Sequence, residues 1–546
     1  MVKAALLEER YPNLSFLLRV HPFKPCPLSD KSVDLPKQDL EAIYVYGLNE
    51  TAYLSLKTWL LENPERELIF LEENLGALDA FLETEHAGEI INHPQVHLRF
   101  NLDNKRLTPF LEECAESFPF EKIAVLSSEK TSRFYRIRLK LHRLTTIQHA
   151  LFLERYYYHH LVKNLVPNFR RMDTSFDGNG LKGQFKNVPA IICGAGPSLS
   201  NDITALRTLD DRALIIAGGS AITALSNHNI RPHFGIAIDP NEEEVARFEN
   251  SRAFEMPLFY APRVHPKIFD TFNGPHGYLS TGTGGPLEKW LEEKLGLGQT
   301  PLQQGFSIEA LSVTTTAIEL AATLGCSPII LLGVDLAFTE GKTYASGVIA
   351  DPTAPQEKTL KRKDIYGKPV NTLIKWVMES SAIATFAKNT PHLQLINATS
   401  GGLGFTNIPN MPLAQCPLSP PTDLRSKVHE AIQTHPLQVS ADEVSTHLDI
   451  LRASLLEARG YIQIALDELE RIKGEDRDPE TGKVIFAQME LETLDAYTCF
   501  LEGAAQSFIP LLMRKFRTST ENKWAFLFSK WKAYESLVGT LVSCLT

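Results

Sequence analysis

Between Pro189 and Pro412 the chain alternates short apolar runs with stretches of helical spacing, and this rhythm restricts the possible folds more than any other feature. The runs Ala190–Cys193, Ala213–Ala217, Phe234–Ile238, Leu258–Ala261, Ile329–Gly333 and Leu393–Ile396 are near-continuously apolar. A strand apolar on both faces is buried on both, as in a parallel sheet covered by crossover helices. Between the runs, Val313–Leu324 and Thr372–Ala387 have the clearest helical periodicity. The expected fold class is α/β, with a central doubly wound, mainly parallel, Rossmann-like sheet.

The flanks differ from this centre and from each other. Upstream, strands are expected at Ile43–Tyr46, Leu68–Leu71, His97–Phe100 and Ile123–Leu126, with a helix over Thr51–Glu62. A strand ending at Gly47, a helix, and a strand ending in Glu72-Glu73 open a second α/β unit. An acid at that second strand end is a place to hold a ribose, although a single glycine at the first turn favours a scaffold role. Downstream, the prolines Pro417, Pro420 and Pro421 lead into helical patterns over Asp442–Ile472, Val484–Ala504 and Glu521–Val542. The expected division is an N-terminal α/β domain with connector (1–180), a nucleotide-binding domain (181–416) and a helical C-terminal domain (417–546). Packing within the chain or homo-oligomerisation is the expected use of those helices.

Composition excludes several classes of function. With 43% hydrophobic and 22% charged residues, the 546-residue chain has an ordinary globular profile. A net charge of −10 argues against nucleic acid as a partner, which calls for a basic face. Lys361-Arg362-Lys363 is a local exception. Seven scattered cysteines without a C-x-x-C pair imply neither a disulfide framework nor a zinc site, and no metal centre is expected. No window reaches the ~18 apolar residues of a membrane span, and Glu8, Glu9 and Arg10 do not suit a secretion signal, so a cytoplasmic location is expected.

The chemistry is expected at the carboxyl ends of the central strands, where ligands of parallel sheets lie. After the first of them comes Gly194-Ala195-Gly196-Pro197-Ser198-Leu199. Glycines let backbone N–H groups approach phosphate, the following helix adds a favourable dipole, and Pro197 pre-sets its first turn. Ser198 offers a hydroxyl. The loop lacks both the third glycine of a dinucleotide fingerprint and the Lys-Ser/Thr of a Walker loop. Further strand ends present Gly218-Gly219-Ser220, Asp239-Pro240-Asn241 and Gly333-Val334-Asp335, the last followed by Thr343-Tyr344-Ala345-Ser346-Gly347. Asp335 either meets ligand or braces the loop. Gly282-Thr283-Gly284-Gly285 reads as a flexible loop suited to closing over the site.

Together, "IICGAGPSLSND", "LIIAGGSAITALSNHNIRPHFGIAIDPNEE", "SVTTTAIELAATLGCSPIILLGVDLAFTEGKTYASG" and "LQLINATSGG" resemble the DUF115 domain family. That family includes the flagellar motility accessory factor (Maf) glycosyltransferases and archaeal 6-hydroxymethylpterin pyrophosphokinases. The two flanking regions resemble the Maf layout. The loop is also similar to the "NGPSL" of bacterial sialyltransferases that use a CMP-activated donor, with Asp239-Pro240 and Gly333-Val334-Asp335 at two of their other motifs. Three departures stand out. Ala195 occupies the place of an amide that contacts nucleotide. A phosphate-assisting tyrosine falls at Ala337 or Phe338. The family's base histidine falls near Gly367-Lys368, ahead of "NTLIKWVME".

The resemblance implies transfer of a nonulosonic sugar from a CMP donor to Ser or Thr of a flagellin-like protein, with no tightly bound cofactor. In that reading Gly194, Ala195, Gly196, Pro197, Ser198, Gly219, Ser220, Asp239, Asn241, Gly284 and Asp335 hold the nucleotide. Tyr344, with Lys368, assists the departing phosphate, and Asp239 or Asp364 is the base. The alternatives are a pterin pyrophosphokinase using ATP, with magnesium on Asp239 and Asp335, and a nucleotide-sugar-binding assembly protein with little or no catalysis.

Overall fold

The structure is a computed structural model, and it describes residues 2–545 apart from 30, 35–38, 102, 249–250, 252–254, 299–301, 303–304, 307–311, 347, 349–358 and 517–520. The chain forms two compact units. One comprises Met1–Tyr157, Ile462–Gln488 and Glu502–Tyr534, the other Tyr158–Tyr461, Met489–Leu501 and Glu535–Thr546.

In the first unit, β1 (Ala42–Tyr46), β2 (Glu67–Glu72), β3 (Val96–Phe100) and β4 (Ile123–Leu126) form a parallel sheet in the order β3-β2-β1-β4. All four strands were expected; the runs of β1, β2 and β4 are apolar on both faces, whereas β3, at the sheet edge, alternates Val96, Leu98 and Phe100 with His97 and Arg99. Ile43 and Val45 enter one core while Ala42 and Tyr44 enter the other, the period-two split of a doubly covered sheet. The helix Glu50–Leu61 crosses from β1 to β2, and its N-cap Asn49 accepts the Ala52 N–H at 3.1 Å. Glu72 is not free for a ribose. It is buried, and its carboxylate accepts the N–H groups of Leu48, Glu73 and Asn74, each at 2.8 Å. The acid thus fills the turn beyond β1 itself, in keeping with the scaffold reading.

The second unit contains an eight-stranded sheet in the order β14-β11-β6-β7-β8-β9-β10-β5, every pairing parallel. Its strands are β5 (Phe176–Asp177), β6 (Ala190–Cys193), β7 (Leu214–Gly218), β8 (Phe234–Ala237), β9 (Leu258–Tyr260), β10 (His276–Tyr278), β11 (Ile329–Leu332) and β14 (Leu395–Asn397). The chain runs outward from β6 through β10, then returns to the other side of β6 for β11 and β14. Strand order therefore reverses between β6 and β11, where an open α/β sheet leaves a crevice. An antiparallel hairpin, β12 (Leu360–Lys363) with β13 (Pro369–Thr372), is inserted before β14. The basic run Lys361-Arg362-Lys363 is its exposed first strand.

Past Asn397 the described residues form no further strand, and the helices include Ala441–Arg471, Gly482–Glu492, Glu502–Lys515 and Glu521–Cys544. The expected continuous helix Val484–Ala504 is interrupted. The Thr493 hydroxyl turns back onto the Glu490 carbonyl at 2.7 Å, and the Ser454 hydroxyl oxygen accepts the Ala496 N–H at 3.1 Å. The first is a local side-chain bond that competes with the helical ladder, and the second is a tertiary contact that takes up the Ala496 N–H from another helix. No helix among the described residues is long and apolar enough to cross a membrane.

Candidate functional site

The crevice lies beyond β6 and β11, at the strand-order reversal, and has a volume of about 200 Å³. Gly194, Ala195 and Gly196 form one wall and Gly333 to Ala337 the other, with Thr343 and Tyr344 from the following loop. Ser312, Thr314, Trp376 and Glu379 complete the lining.

The two strand ends are laced together by backbone. Gly194 N–H donates to Leu332 O and Gly196 N–H to Gly333 O, both at 2.8 Å, while Ala345 N–H donates to Ala195 O at 2.8 Å. A Cβ on Gly194 would stand 2.5 Å from the Gly333 carbonyl oxygen, and one on Gly196 would overlap the Asp335 carboxylate. These glycines are therefore required by the approach of the β11 end, whatever binds in the crevice. Ala195 N–H has no hydrogen-bond partner among the described residues and is the loop donor left open. The helix Leu199–Leu206 begins at Ser198, so its positive end faces the same region. Cys193, fully buried, is a core residue whose thiol burial pushes up to about 12.

Of the two uses left open for Asp335, the structure has the brace. Its Oδ1 accepts the Ser198 hydroxyl and its Oδ2 the Thr339 hydroxyl, each at 2.6 Å. Both Ser198 and Asp335 are buried, and burial raises the Asp335 pKa against these bonds. The Ser198 hydroxyl is thus committed inside the protein.

Tyr344, half-buried, presents a hydroxyl with no hydrogen-bond partner among the described residues. The loop's expected last residue, Gly347, lies outside the described residues. Gly219 (φ +52), Ser220, Asp239 and Asn241 stand one and two strands along the same edge, past the helix Val313–Thr323. A Cβ on Gly218 would strike Val313, which seats that helix on the β7 end. Asp239 Oδ1 accepts the backbone and side-chain N–H groups of Asn241 at 3.0 and 2.7 Å. Lys368 and Asp364 are not brought to the crevice. They close the exposed β12–β13 turn, where Asp364 Oδ1 accepts the N–H groups of Tyr366 and Lys368 at 2.9 and 2.8 Å.

The loop expected to be flexible is pinned. Glu288, fully buried, accepts the N–H groups of Thr281 and Gly282 at 3.0 Å and that of Gly284, and the Gly284 carbonyl accepts the Tyr158 hydroxyl at 2.6 Å. Gly284 has both backbone groups taken up within the fold.

Three side chains were missed. Trp376 and Glu379 lie three apart on the helix Ile374–Asn389, a spacing that puts them on one face. That spacing was the available signal, but which face meets the crevice depends on the hairpin before it. The Thr372 hydroxyl at the β13 end donates to Leu336 O at 2.7 Å, fixing where the helix starts. The third is Glu244. In the run Asn241-Glu242-Glu243-Glu244 it reads as one solvated acid among three, yet it alone is buried, accepting the Asp239 N–H at 3.0 Å.

Burial, with Asp239 nearby, raises the Glu244 carboxyl to about 8, and burial with Glu292 raises that of Glu288 to about 7. Both exceed the ordinary 4.5, so the folded chain holds protons that the unfolded chain releases. Their stabilisation is complete below pH 4.5 and is lost as pH rises through 7 and 8. The urea midpoint is expected to be lower at pH 8.5 than at pH 5.5. A midpoint that rises across this window removes these carboxyls as its determinant.

With this geometry in hand, comparison with known proteins adds three findings. Residues 163–341 match the family model described as 6-hydroxymethylpterin diphosphokinase MptE-like, a span from before β5 to just after β11 that stops short of Tyr344, Trp376 and Glu379. No curated protein matches the chain. Among solved structures, a Maf glycosyltransferase from Magnetospirillum magneticum AMB-1 superposes with a TM-score of 0.54 at 14% identity, over 99% of this chain and 94% of that one. At that identity the likeness is one of fold. The resemblance expected from the sequence is thus found: residues 163–341 are similar to the MptE-like family, and the whole chain shares its fold with a Maf glycosyltransferase.

Proposed function

We propose that this chain is a glycosyltransferase that moves a nonulosonic sugar from a CMP-activated donor to a Ser or Thr hydroxyl of a flagellin-like protein. The observation that carries the reading is the crevice at the β6–β11 reversal, which joins the open Ala195 N–H to the unpartnered Tyr344 hydroxyl. Such a transfer needs a cradle for the nucleotide and a donor aimed at the charge that grows on the leaving phosphate. Ala195 N–H and the helix end after Ser198 serve as the cradle, and Tyr344 as the donor. The name of the solved Maf glycosyltransferase and its coverage of nearly the whole chain support the class of reaction.

The family description favours a second reading, diphosphate transfer from ATP to a pterin alcohol. A ligand bound only by the native state raises the melting temperature by mass action. CMP is expected to raise Tm more than ATP with magnesium does, and chelation of divalent metal should leave the CMP shift intact. A shift confined to ATP with magnesium would favour the second reading. Binding of CMP without turnover of any CMP-sugar would point to an assembly protein.

A further inference from the structure

Transfer to a hydroxyl needs a base, and the candidates named from sequence are poorly placed for it. Asp364 is in the exposed hairpin turn, and Asp239 does not line the crevice. Among the described residues, the titratable side chains that line it are Asp335, Tyr344 and Glu379. Asp335 has both oxygens occupied by hydroxyl donors. Glu379 is different: its Oε1 accepts the Ser312 hydroxyl at 2.6 Å, while its Oε2 has no hydrogen-bond partner among the described residues.

The surroundings of Glu379 suit a proton acceptor. Ser312 is fixed as the N-cap of Val313–Thr323, with a reciprocal bond to Thr315, so its hydroxyl holds the carboxylate in one orientation. Lys375, one turn earlier on the same helix, is the nearby cation, and Asp335 faces across the crevice from the β11 end. Burial raises the Glu379 pKa above the ordinary 4.5, while the Ser312 bond and Lys375 act the other way. A carboxylate moved toward neutrality is a better general base.

We infer that Glu379 is the catalytic base of this crevice, taking the proton from the acceptor hydroxyl through its free Oε2. This rests on the glycosyl-transfer reading. In the step, the acceptor oxygen forms a bond to the anomeric carbon as its proton passes to Glu379. The bond from that carbon to the phosphate oxygen breaks, its electron pair leaves with CMP, and Tyr344 hydrogen-bonds the departing oxygen.

The test measures CMP release from CMP-N-acetylneuraminic acid with water as acceptor, corrected for spontaneous hydrolysis, between pH 5.5 and 9. The wild-type rate is expected to rise with pH through one ionisation to a plateau. Glu379→Gln should lose that limb and fall roughly 100-fold or more in kcat, with KM within threefold. Glu379→Asp should restore part of the limb. Ser312→Ala, which deletes a bond favouring the charged form, should move the limb to higher pH. A Glu379→Gln enzyme that keeps the wild-type rate and limb overturns the inference, as does loss confined to KM. Should Glu379→Gln fail to fold, Ser312→Ala decides: an unmoved limb overturns it. CMP calorimetry on the wild type separates the two levels. No CMP binding sinks the transfer reading and the inference with it, whereas binding with an unmoved limb sinks the inference alone.

Discussion

Tyr344→Phe is expected to reduce kcat for CMP release from a CMP-activated nonulosonic sugar by about two to three orders of magnitude, with donor affinity nearly unchanged. The ring and its half-buried packing survive the substitution, and only the hydroxyl, which has no hydrogen-bond partner among the described residues, is removed. Donors aimed at charge that develops in the transition state are worth roughly 2.7–4 kcal/mol when deleted. With the ground-state phosphate held by Ala195 N–H and the helix end, as proposed, the loss should appear in kcat rather than in KM. Steady-state kinetics on the purified variant checks this, alongside Tm to show that the fold is intact. A tyrosine that only braces the loop predicts a near-normal kcat in the same assay.

Gly196→Val should have its largest effect on stability. From the sequence alone, this glycine reads as space kept for a phosphate, so a valine would abolish binding and leave the fold unchanged. The structure corrects that reason. The added Cβ would overlap the Asp335 carboxylate and approach the Gly333 carbonyl oxygen to 2.6 Å, so the collision is with the protein itself. Forcing the two strand ends apart breaks the Gly196–Gly333 backbone bond and threatens the buried Ser198–Asp335 bond. Overpacking costs about 1–3 kcal/mol, and a buried polar group left unpaired about 1–3 kcal/mol more. The expected result is a loss of about 3 kcal/mol in urea denaturation, together with loss of nucleotide binding. A variant as stable as the wild type that merely fails to bind would restore the phosphate explanation.

The division between what was legible and what was not follows the range of the interactions. Runs apolar on both faces, such as Ile43–Tyr46 and Ala190–Cys193, identify buried parallel strands because burial acts on each residue where it stands. The Gly194–Ser198 turn is likewise visible, since a strand–glycine–helix junction is written in adjacent residues. The roles within that turn were not, because Ser198 and Asp335 are 137 positions apart and no local pattern says that one hydroxyl will meet that carboxylate. The same reason hid Glu244 among three glutamates, and it made the Gly282–Gly285 loop read as flexible when Glu288 fastens it.

By itself, then, the sequence determined the α/β class, the strands of the first sheet, the strands β6 and β11 that flank the crevice, the helical C-terminal stretch and the loop that forms one crevice wall. Period-two and period-3.6 burial act over a few residues at a time, so these features need no knowledge of distant partners. Only the tertiary structure decided that β11 returns to the far side of β6, which creates the crevice. It also decided that the β12–β13 hairpin carries Asp364 and Lys368 away while delivering Trp376 and Glu379. Strand order and helix facing are set by which long-range packing closes both faces of the sheet, and that choice belongs to the whole core and to no single segment.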